Sequence, residues 1–235
     1  MARVDHVIEK TMNDLETYFY KNTGKAIHKF AHYFEIYERY FSRFRGRDIC
    51  VVEIGVADGG SLQMWKNYFG PQAEIVGVDI SHDIKVQESQ IRLINGNQND
   101  YQFLSALPVI LGRPIDILID DGSHINFHQL KTFSALFPAI AEDGIYLCED
   151  VQTSYQEQFG GGYLHPGSFI TQMKQMVDQL NAWCAEPGTG HLKTEFTRAA
   201  FAIHFYTYAV VIEKRLMDTV LKSPVVSGGV HVQQR

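Results

Sequence analysis

The sequence has few of the features that mark several large classes of protein. It contains only three cysteines among 235 residues, and Cys50, Cys148 and Cys184 lie far apart. Because the cysteines are few, odd in number and far apart, they predict neither a disulfide framework nor a zinc site. We interpret these cysteines as small, mostly apolar side chains in the reducing environment of the cytoplasm.

The chain also lacks an excess of positive charge and a long apolar run. Its formal net charge of −6 argues against non-specific binding to nucleic acid, which depends on a basic surface. No apolar segment approaches the ~20 residues that a transmembrane helix requires, and Met1–Lys10 is polar. We therefore expect a soluble, cytoplasmic protein that binds neither nucleic acid nor a membrane.

A glycine-rich stretch between two apolar runs is the most informative part of the sequence. Ile49–Ile54 is short and β-branched, which predicts a buried strand, and Gly55 follows it directly. Ser61–Phe69 has helical apolar spacing, and Glu74–Val78 is a second buried strand. A strand, a glycine-rich loop, a helix and a strand together predict the first half of a nucleotide-binding α/β domain.

The acids around this loop distinguish between two classes of cofactor. The pyrophosphate of a dinucleotide favours the spacing Gly-x-Gly-x-x-Gly, which is absent here. Glu53 and Asp58 would instead repel a phosphate, and they suit the ammonium group of S-adenosylmethionine. Asp79 ends the second strand, where a carboxylate accepts hydrogen bonds from ribose hydroxyls. We predict that this cofactor binds Glu53, Gly55, Asp58, Gly59 and Asp79.

Amide side chains follow the third predicted strand, Ile91–Ile94. Asn97 and Gln98 offer both donors and acceptors, which matches the edge of an adenine ring, so we predict that they bind it. The alternative is a polar turn, in which Asn99 or Asp100 caps the helix that follows. Both interpretations hold together if they apply to different residues.

Carboxylates also follow the fourth and fifth predicted strands. Asp121 and His124 come after Ile115–Ile119, and Glu149 and Asp150 end the next strand along the chain. These strand ends meet at one edge of a parallel sheet, where clustered acids repel one another unless a cation lies between them. Mg²⁺ prefers oxygen ligands, so we predict a divalent metal site here. The alternative is that the acids only form turns and caps.

Several segments together resemble the metal-dependent sugar O-methyltransferases of macrolide biosynthesis and the related cephalosporin hydroxylases. The resemblance is carried by His32–Phe41, Glu53–Trp65, Ile115–His124 and Leu147–Tyr155. It implies that Asp121, Glu149 and Asp150 bind Mg²⁺ and that His124 is the general base. Glu38, on the N-terminal helix, is a weaker match to a further metal ligand.

The resemblance implies a Rossmann-like, doubly wound class I methyltransferase fold. Its sheet is mostly parallel with an antiparallel last strand, and Thr197–Lys214 supplies the final pair. We expect an N-terminal helical extension over residues 1–46, a cofactor-binding domain over 47–222 and a loose tail over 223–235. Helices are predicted at Asp5–Lys21 and Lys29–Phe44, and Ser81–Gln90 is compatible with another.

Two parts of the chain have predicted roles beyond the fold. In the aromatic helix Lys29–Phe44, the residues with polar tips are His32, Tyr33, Tyr37 and Glu38, and we expect one or two of them to line the pocket. The aromatic N-terminal helices also offer a contact surface for a homo-oligomer. The glycine-rich segment Val151–Gly167 is long for a simple connection, which suggests a lid.

The function that we expect is methyl transfer from S-adenosylmethionine to a hydroxyl of a small molecule, with Mg²⁺ as cofactor and a sugar of a glycosylated natural product as acceptor. Chelation by the ion favours the alkoxide, and His124 accepts the proton near neutral pH. Two alternatives stay open at this point. The acids and histidine also suit an iron site for hydroxylation, and a non-catalytic module would only bind S-adenosylmethionine.

Overall fold

The structure, a computed structural model, describes residues 11–220, 225–227 and 230–232. The helices are α1 (Asp14–Lys21), α2 (Tyr33–Phe41), α3 (Gly60–Phe69), α4 (Tyr101–Leu111), α5 (Asn126–Leu136), α6 (Phe169–Leu180) and α7 (Glu195–Ala199). The strands are β1 (Cys50–Ile54), β2 (Glu74–Asp79), β3 (Ile91–Asn95), β4 (Ile115–Asp120), β5 (Ile140–Cys148), β6 (Ala200–Tyr206), β7 (Ala209–Lys214), β8 (Val225–Ser227) and β9 (Val230–Val232).

Seven strands form one twisted sheet in the order β3-β2-β1-β4-β5-β7-β6. All neighbouring pairs are parallel except those of β7, which runs antiparallel to both β5 and β6. The strand order reverses between β1 and β4, so the carboxyl ends of these two strands flank the crevice where doubly wound sheets bind ligands. The predicted fold is confirmed, including the antiparallel pair at its end.

Both faces of the sheet are covered by apolar side chains, which explains why the central strands are apolar throughout. The aromatic residues of α2 pack with those of α3 over one face. The rings of Tyr37 and Trp65 meet edge to face at 5.0 Å, and Tyr37 stacks on Phe41 at 5.7 Å. The N-terminal helices are therefore part of the main core.

The N-terminal helices are shorter than predicted. Helix α1 begins at Asp14, and residues 5–10 of the predicted helix lie outside the described residues. Helix α2 begins at Tyr33, so Lys29 lies in the irregular segment before it. Among the described residues, no helix combines the length and apolar character that crossing a bilayer requires.

The segment between β2 and β3 differs from its prediction, because it contains no helix. Val86 is buried, and its Cγ2 lies 2.4 Å from where a Cβ on Gly59 would be. Glu88 binds Lys66 of α3 at 2.7 Å. These contacts hold the segment extended over the start of α3, so tertiary packing overrides its helical compatibility.

Two other expectations concern connecting segments. The predicted lid, Val151–Gly167, forms two short 3₁₀ turns, fixed by the buried side chain of Asn126. That amide donates to the carbonyls of Thr153 (3.2 Å) and Phe159 (2.9 Å). A role as a lid stays a prediction. The described part of the tail forms a hairpin of β8 and β9, and a loose tail stays a prediction. The domain boundaries at 46 and 223 also stay predictions.

Candidate functional site

A cavity of about 580 Å³ opens at the carboxyl ends of β1, β2 and β4. Its size is within the usual range for small-molecule sites. Residues of five chain segments and three single side chains form its wall: 26–29, 54–57, 78–80, 96–99, 121–124, Ser61, His128 and Asp150. The cavity therefore lies at the position where the sheet order predicts a ligand, and most of the predicted site residues line it.

Gly55 brings the loop after β1 against the loop after β4. Its φ is +89°, and a Cβ at this position would lie 2.1 Å from the carbonyl oxygen of Asp121. Only glycine fits this close approach. Gly59 also has a positive φ, but it faces Val86 and does not line the cavity.

Asp79 lines the cavity and also shapes the glycine-rich loop. Its Oδ2 accepts hydrogen bonds from the amides of Val56 (2.8 Å) and Ala57 (3.3 Å), and its Oδ1 accepts one from Ser81 (2.8 Å). The carboxylate is thus fixed at the tip of β2. Its position agrees with the predicted contact to a ribose.

Asp58 lies outside the cavity wall. Its carboxylate accepts a hydrogen bond from the amide of Ala26 at 2.9 Å and contacts Lys25 at 3.2 Å. These two interactions, with the backbone bond the stronger cause, lower the pKa of Asp58. Asp58 holds the N-terminal segment that forms one wall of the cavity, and its predicted direct contact with the cofactor stays a prediction.

Asn97 and Gln98 both line the cavity, but their amides differ in availability. Gln98 is buried, and it donates to Asp120 at 2.6 Å and accepts from the amide of Ser123 at 2.9 Å. An adenine contact would have to compete with these bonds. The side chain of Asn97 is more exposed and accepts a local bond from the amide of Asn99, so it is the better placed of the two.

The paired acids after β4 point in different directions. Asp120 is fully buried and is bonded to Gln98 and to Tyr146. Burial raises the pKa of Asp120 to about 7, against the opposing effect of these donors. Asp121 lines the cavity instead. Of the two acids, therefore, only Asp121 is available to a ligand.

Asp121, His124 and Asp150 converge as the sequence predicts. Each offers one ligand atom, and these three atoms lie within 4.8 Å of one another. His124 and Asp150 have φ angles of 58° and 54°, in the left-handed region that residues with a side chain rarely adopt. Such conformations concentrate at functional sites, where the surrounding structure maintains them.

The ring of His124 supports a ligand at this position. Its Nε2 lies 3.5 Å from Oδ2 of Asp150. Its Nδ1 is buried and has no hydrogen-bond partner among the described residues. A buried polar atom without a partner is uncommon and indicates a missing ligand, ion or water. Two carboxylates and an imidazole in this arrangement fit a divalent cation.

A buried lysine that the sequence analysis missed connects the two halves of the site. Lys29 is 2% exposed, and its Nζ lies 2.7 Å from Asp121, 3.0 Å from Glu149 and 3.1 Å from Glu53. Burial alone would lower the pKa of Lys29, but the three carboxylates raise it well above its usual range. The three carboxylates therefore favour the charged form of Lys29.

Glu149 and Glu53 interact with protein donors rather than with the cavity. Glu149 is 1% exposed, and its Oε1 accepts a hydrogen bond from Tyr37 at 2.6 Å as well as from Lys29. Oε2 of Glu53 accepts from Ser61 at 2.6 Å. Burial raises the pKa of both acids. Neither lines the cavity, so their direct roles toward the metal and the cofactor stay predictions.

None of the four polar-tipped residues predicted to suit the pocket wall is among the residues that line the cavity, but two tyrosines bond to acids beside it. The hydroxyl of Tyr33 donates to Asp150 at 3.0 Å, and Tyr37 binds Glu149. Lys29 lies before the first residue of α2, so helical spacing does not relate it to these tyrosines. Glu38 instead accepts a hydrogen bond from Tyr68 of α3 at 2.9 Å and is not in the three-residue cluster.

Comparisons with known proteins identify relatives over most of this chain. The mycinamicin VI 2''-O-methyltransferase of Micromonospora griseorubida is 36% identical over 201 residues, which are 80% of this chain and 50% of that protein. An 8-demethyl-8-alpha-L-rhamnosyl tetracenomycin-C 2'-O-methyltransferase of Streptomyces olivaceus is 38% identical over 191 residues, which are 78% of this chain and 50% of that protein. The chain resembles sugar O-methyltransferases of antibiotic biosynthesis. This confirms the resemblance inferred from the sequence.

Solved structures of such a methyltransferase share the fold. MycE, from the mycinamycin biosynthetic pathway and in complex with Mg and SAH, superposes with a TM-score of 0.76 at 33% identity, over 87% of this chain and 54% of that chain. A complex that also contains mycinamycin VI has a TM-score of 0.74 at 34% identity, over 87% of this chain and 53% of that chain. The chain spans about half the length of these methyltransferases. No protein-family model matches it.

The lysine cluster generates a testable prediction. Lys29→Met keeps the apolar stem but leaves three carboxylates without their cation, and breaking a buried ion pair typically costs ~3–5 kcal/mol. Burial raises the pKa of Glu53 and Glu149 in the folded protein. Acids whose pKa is raised by folding stabilise the folded protein at low pH, where they are protonated. This contribution is lost as the pH rises through their pKa in the folded protein. We therefore expect Lys29→Met to lower the free energy of unfolding more at pH 8 than at pH 5, as measured by urea denaturation.

Lys25→Met is the matched control, because among the described residues Lys25 has a single ion pair, with the exposed Asp58. We expect little change in the unfolding free energy at either pH. Equal losses from the two substitutions, or a Lys29→Met deficit that does not depend on pH, would contradict this account of the cluster.

Proposed function

We propose that this chain forms the catalytic part of an O-methyltransferase that uses S-adenosylmethionine and a divalent cation, with Mg²⁺ the expected ion. The acceptor is a hydroxyl on the sugar of a glycosylated natural product. The observation that carries the proposal is the position of the Asp121–His124–Asp150 cluster on the wall of the cofactor-sized cavity. A cation site and a cofactor site that share one wall suit transfer between two bound molecules.

The relatives support this choice of chemistry. The named relatives act on sugars of mycinamicin and tetracenomycin compounds, and the MycE structures contain Mg and SAH. Because this chain spans about half of each of these proteins, its own activity and acceptor are part of the proposal.

Within this proposal, Asp121 and Asp150 hold the cation. A bound divalent ion lowers the pKa of a hydroxyl that coordinates it. His124 lies beside both carboxylates, and it accepts the proton from the acceptor hydroxyl through a ring nitrogen. Asp79 binds the ribose diol, and the loop at Gly55 gives the cofactor close access to the backbone. Asn97 is placed to contact the adenine.

The second candidate function is hydroxylation at an iron centre, because two carboxylates and a histidine also suit that metal. A hydroxylase of this kind would have no use for Asp79 and the glycine-rich loop, which line the cavity beside the cluster. A module that binds S-adenosylmethionine without catalysis leaves the cation cluster unused.

Metal dependence tests the proposal directly. We expect the purified protein to transfer methyl groups from S-adenosylmethionine to glycosylated acceptors, to lose this activity in EDTA and to regain it with Mg²⁺. Activity is followed as S-adenosylhomocysteine formation with a panel of sugar-bearing metabolites. Oxygen consumption that depends on iron would favour the hydroxylase, and cofactor binding without turnover on any acceptor would favour the binding module.

A second prediction concerns His124. His124→Ala removes the proposed base, and we expect the rate of methyl transfer to fall by ~10²–10⁴-fold. Affinity for S-adenosylhomocysteine, measured by calorimetry, stays close to that of the wild-type protein. The control is His204→Ala, at a histidine that pairs with Glu213 on the last two strands. A His124→Ala enzyme with near-normal turnover would assign the base to another group.

A further inference from the structure

The hydroxyl of Tyr33 contacts both the backbone and the side chain of Asp150. It donates to Oδ1 of Asp150 at 3.0 Å and accepts a hydrogen bond from the amide of the same residue at 3.1 Å. The carbonyl oxygen of Tyr208, at 2.9 Å, is a second acceptor for its single proton. A hydrogen bond to a carboxylate is the stronger of the two kinds. Tyr33 therefore fixes the orientation of one residue from two sides.

Asp150 needs such support because its backbone is in the left-handed region, with a φ of 54° and a ψ of 34°. A residue with a side chain is strained in this conformation and depends on its surroundings to keep it. The amide of Val151 donates to the carbonyl of Tyr208 at 3.0 Å, which anchors the next residue as well. The contacts from Tyr33 and Tyr208 thus hold the turn at the end of β5.

The ring of Tyr33 is itself held rigidly. It is 1% exposed, and it packs edge to face against Phe30 at 5.4 Å, His32 at 4.7 Å and Tyr37 at 6.0 Å. Rings in such contacts move little. The hydroxyl therefore has a defined position relative to the end of β5.

These contacts divide the two carboxylate oxygens of Asp150 between different partners. Oδ1 binds Tyr33, with Gln152 at 3.3 Å, while Oδ2 faces Nε2 of His124 at 3.5 Å. When one atom of a side chain binds a metal, a hydrogen bond to its other polar atom orients the side chain and raises the affinity of the site for the metal. We propose that Tyr33 is a positioning residue that turns Asp150 toward the cation. This inference rests on the proposed function, in which Asp150 binds a divalent ion.

Tyr40 provides a matched comparison. It lies two turns later on α2, it is buried, and its hydroxyl bonds to the hydroxyl of Tyr206 on β6 at 2.7 Å. Tyr206 lies outside the three-residue cluster and does not line the cavity. Loss of either tyrosine hydroxyl removes a partly buried hydrogen bond, but only the loss at Tyr33 affects a residue of the cluster.

The test measures Mn²⁺ binding by electron paramagnetic resonance, without cofactor or acceptor. We expect Tyr33→Phe to raise the Kd by ~10–100-fold, the usual range for removing an outer partner of a metal ligand. Tyr40→Phe keeps a Kd close to that of the wild-type protein. The melting temperatures of both variants are measured in parallel, and Tyr33→Met is a second replacement in case the phenylalanine variant does not fold.

A double-mutant cycle links the effect to Asp150. In an Asp150→Ala background, the further change Tyr33→Phe leaves the Kd for Mn²⁺ unchanged if Tyr33 acts through Asp150. An equal rise in Kd for Tyr33→Phe and Tyr40→Phe, or no rise for either, would overturn the positioning role while leaving the metal site intact. A wild-type protein that binds no Mn²⁺ would instead overturn the proposed metal site, and this inference with it.

Discussion

The interaction on which the site depends is the contact of one buried ammonium with three carboxylates. Lys29 brings together the N-terminal segment, β1 through Glu53, the loop after β4 through Asp121 and the end of β5 through Glu149. Without this cation the clustered acids would repel one another or take up protons. The same contact holds the segment at 26–29 against the cavity as one of its walls. The wall of the cavity and the cluster of Asp121, His124 and Asp150 are thus parts of one network of charged groups.

This network separates the acids by role. Glu53 and Glu149 face donors inside the protein, whereas Asp121 and Asp150 each present a carboxylate to the cluster with His124. The left-handed backbone at His124 and Asp150 brings both side chains to the same place, and backbone hydrogen bonds with Thr153 and Tyr33 help to hold it. In the proposed function, such a site is preorganised, because Asp121, His124 and Asp150 already converge without a cation.

The sequence predicts the sheet and the cluster well because both depend on local patterns. Short apolar runs define the strands, and acids at the ends of parallel strands must meet at one edge. Lys29 has no such local signal, since its three partners lie 24, 92 and 120 residues away. Gln98 matches an adenine edge by its chemistry, yet burial against Asp120 uses its amide. The segment Ser81–Gln90 lacks the predicted helix because Val86 and Glu88 pack onto α3.

The most direct test of the account is a crystal structure with Mn²⁺ and S-adenosylhomocysteine, in which anomalous scattering locates the ion. The account predicts one ion bound by oxygens of Asp121 and Asp150 at ~2.1–2.3 Å. It also predicts the ribose on Asp79 and Lys29 still in contact with Glu149. An ion between Glu53 and Glu149 with Lys29 displaced, or a cofactor outside the cavity of the glycine-rich loop, would contradict it.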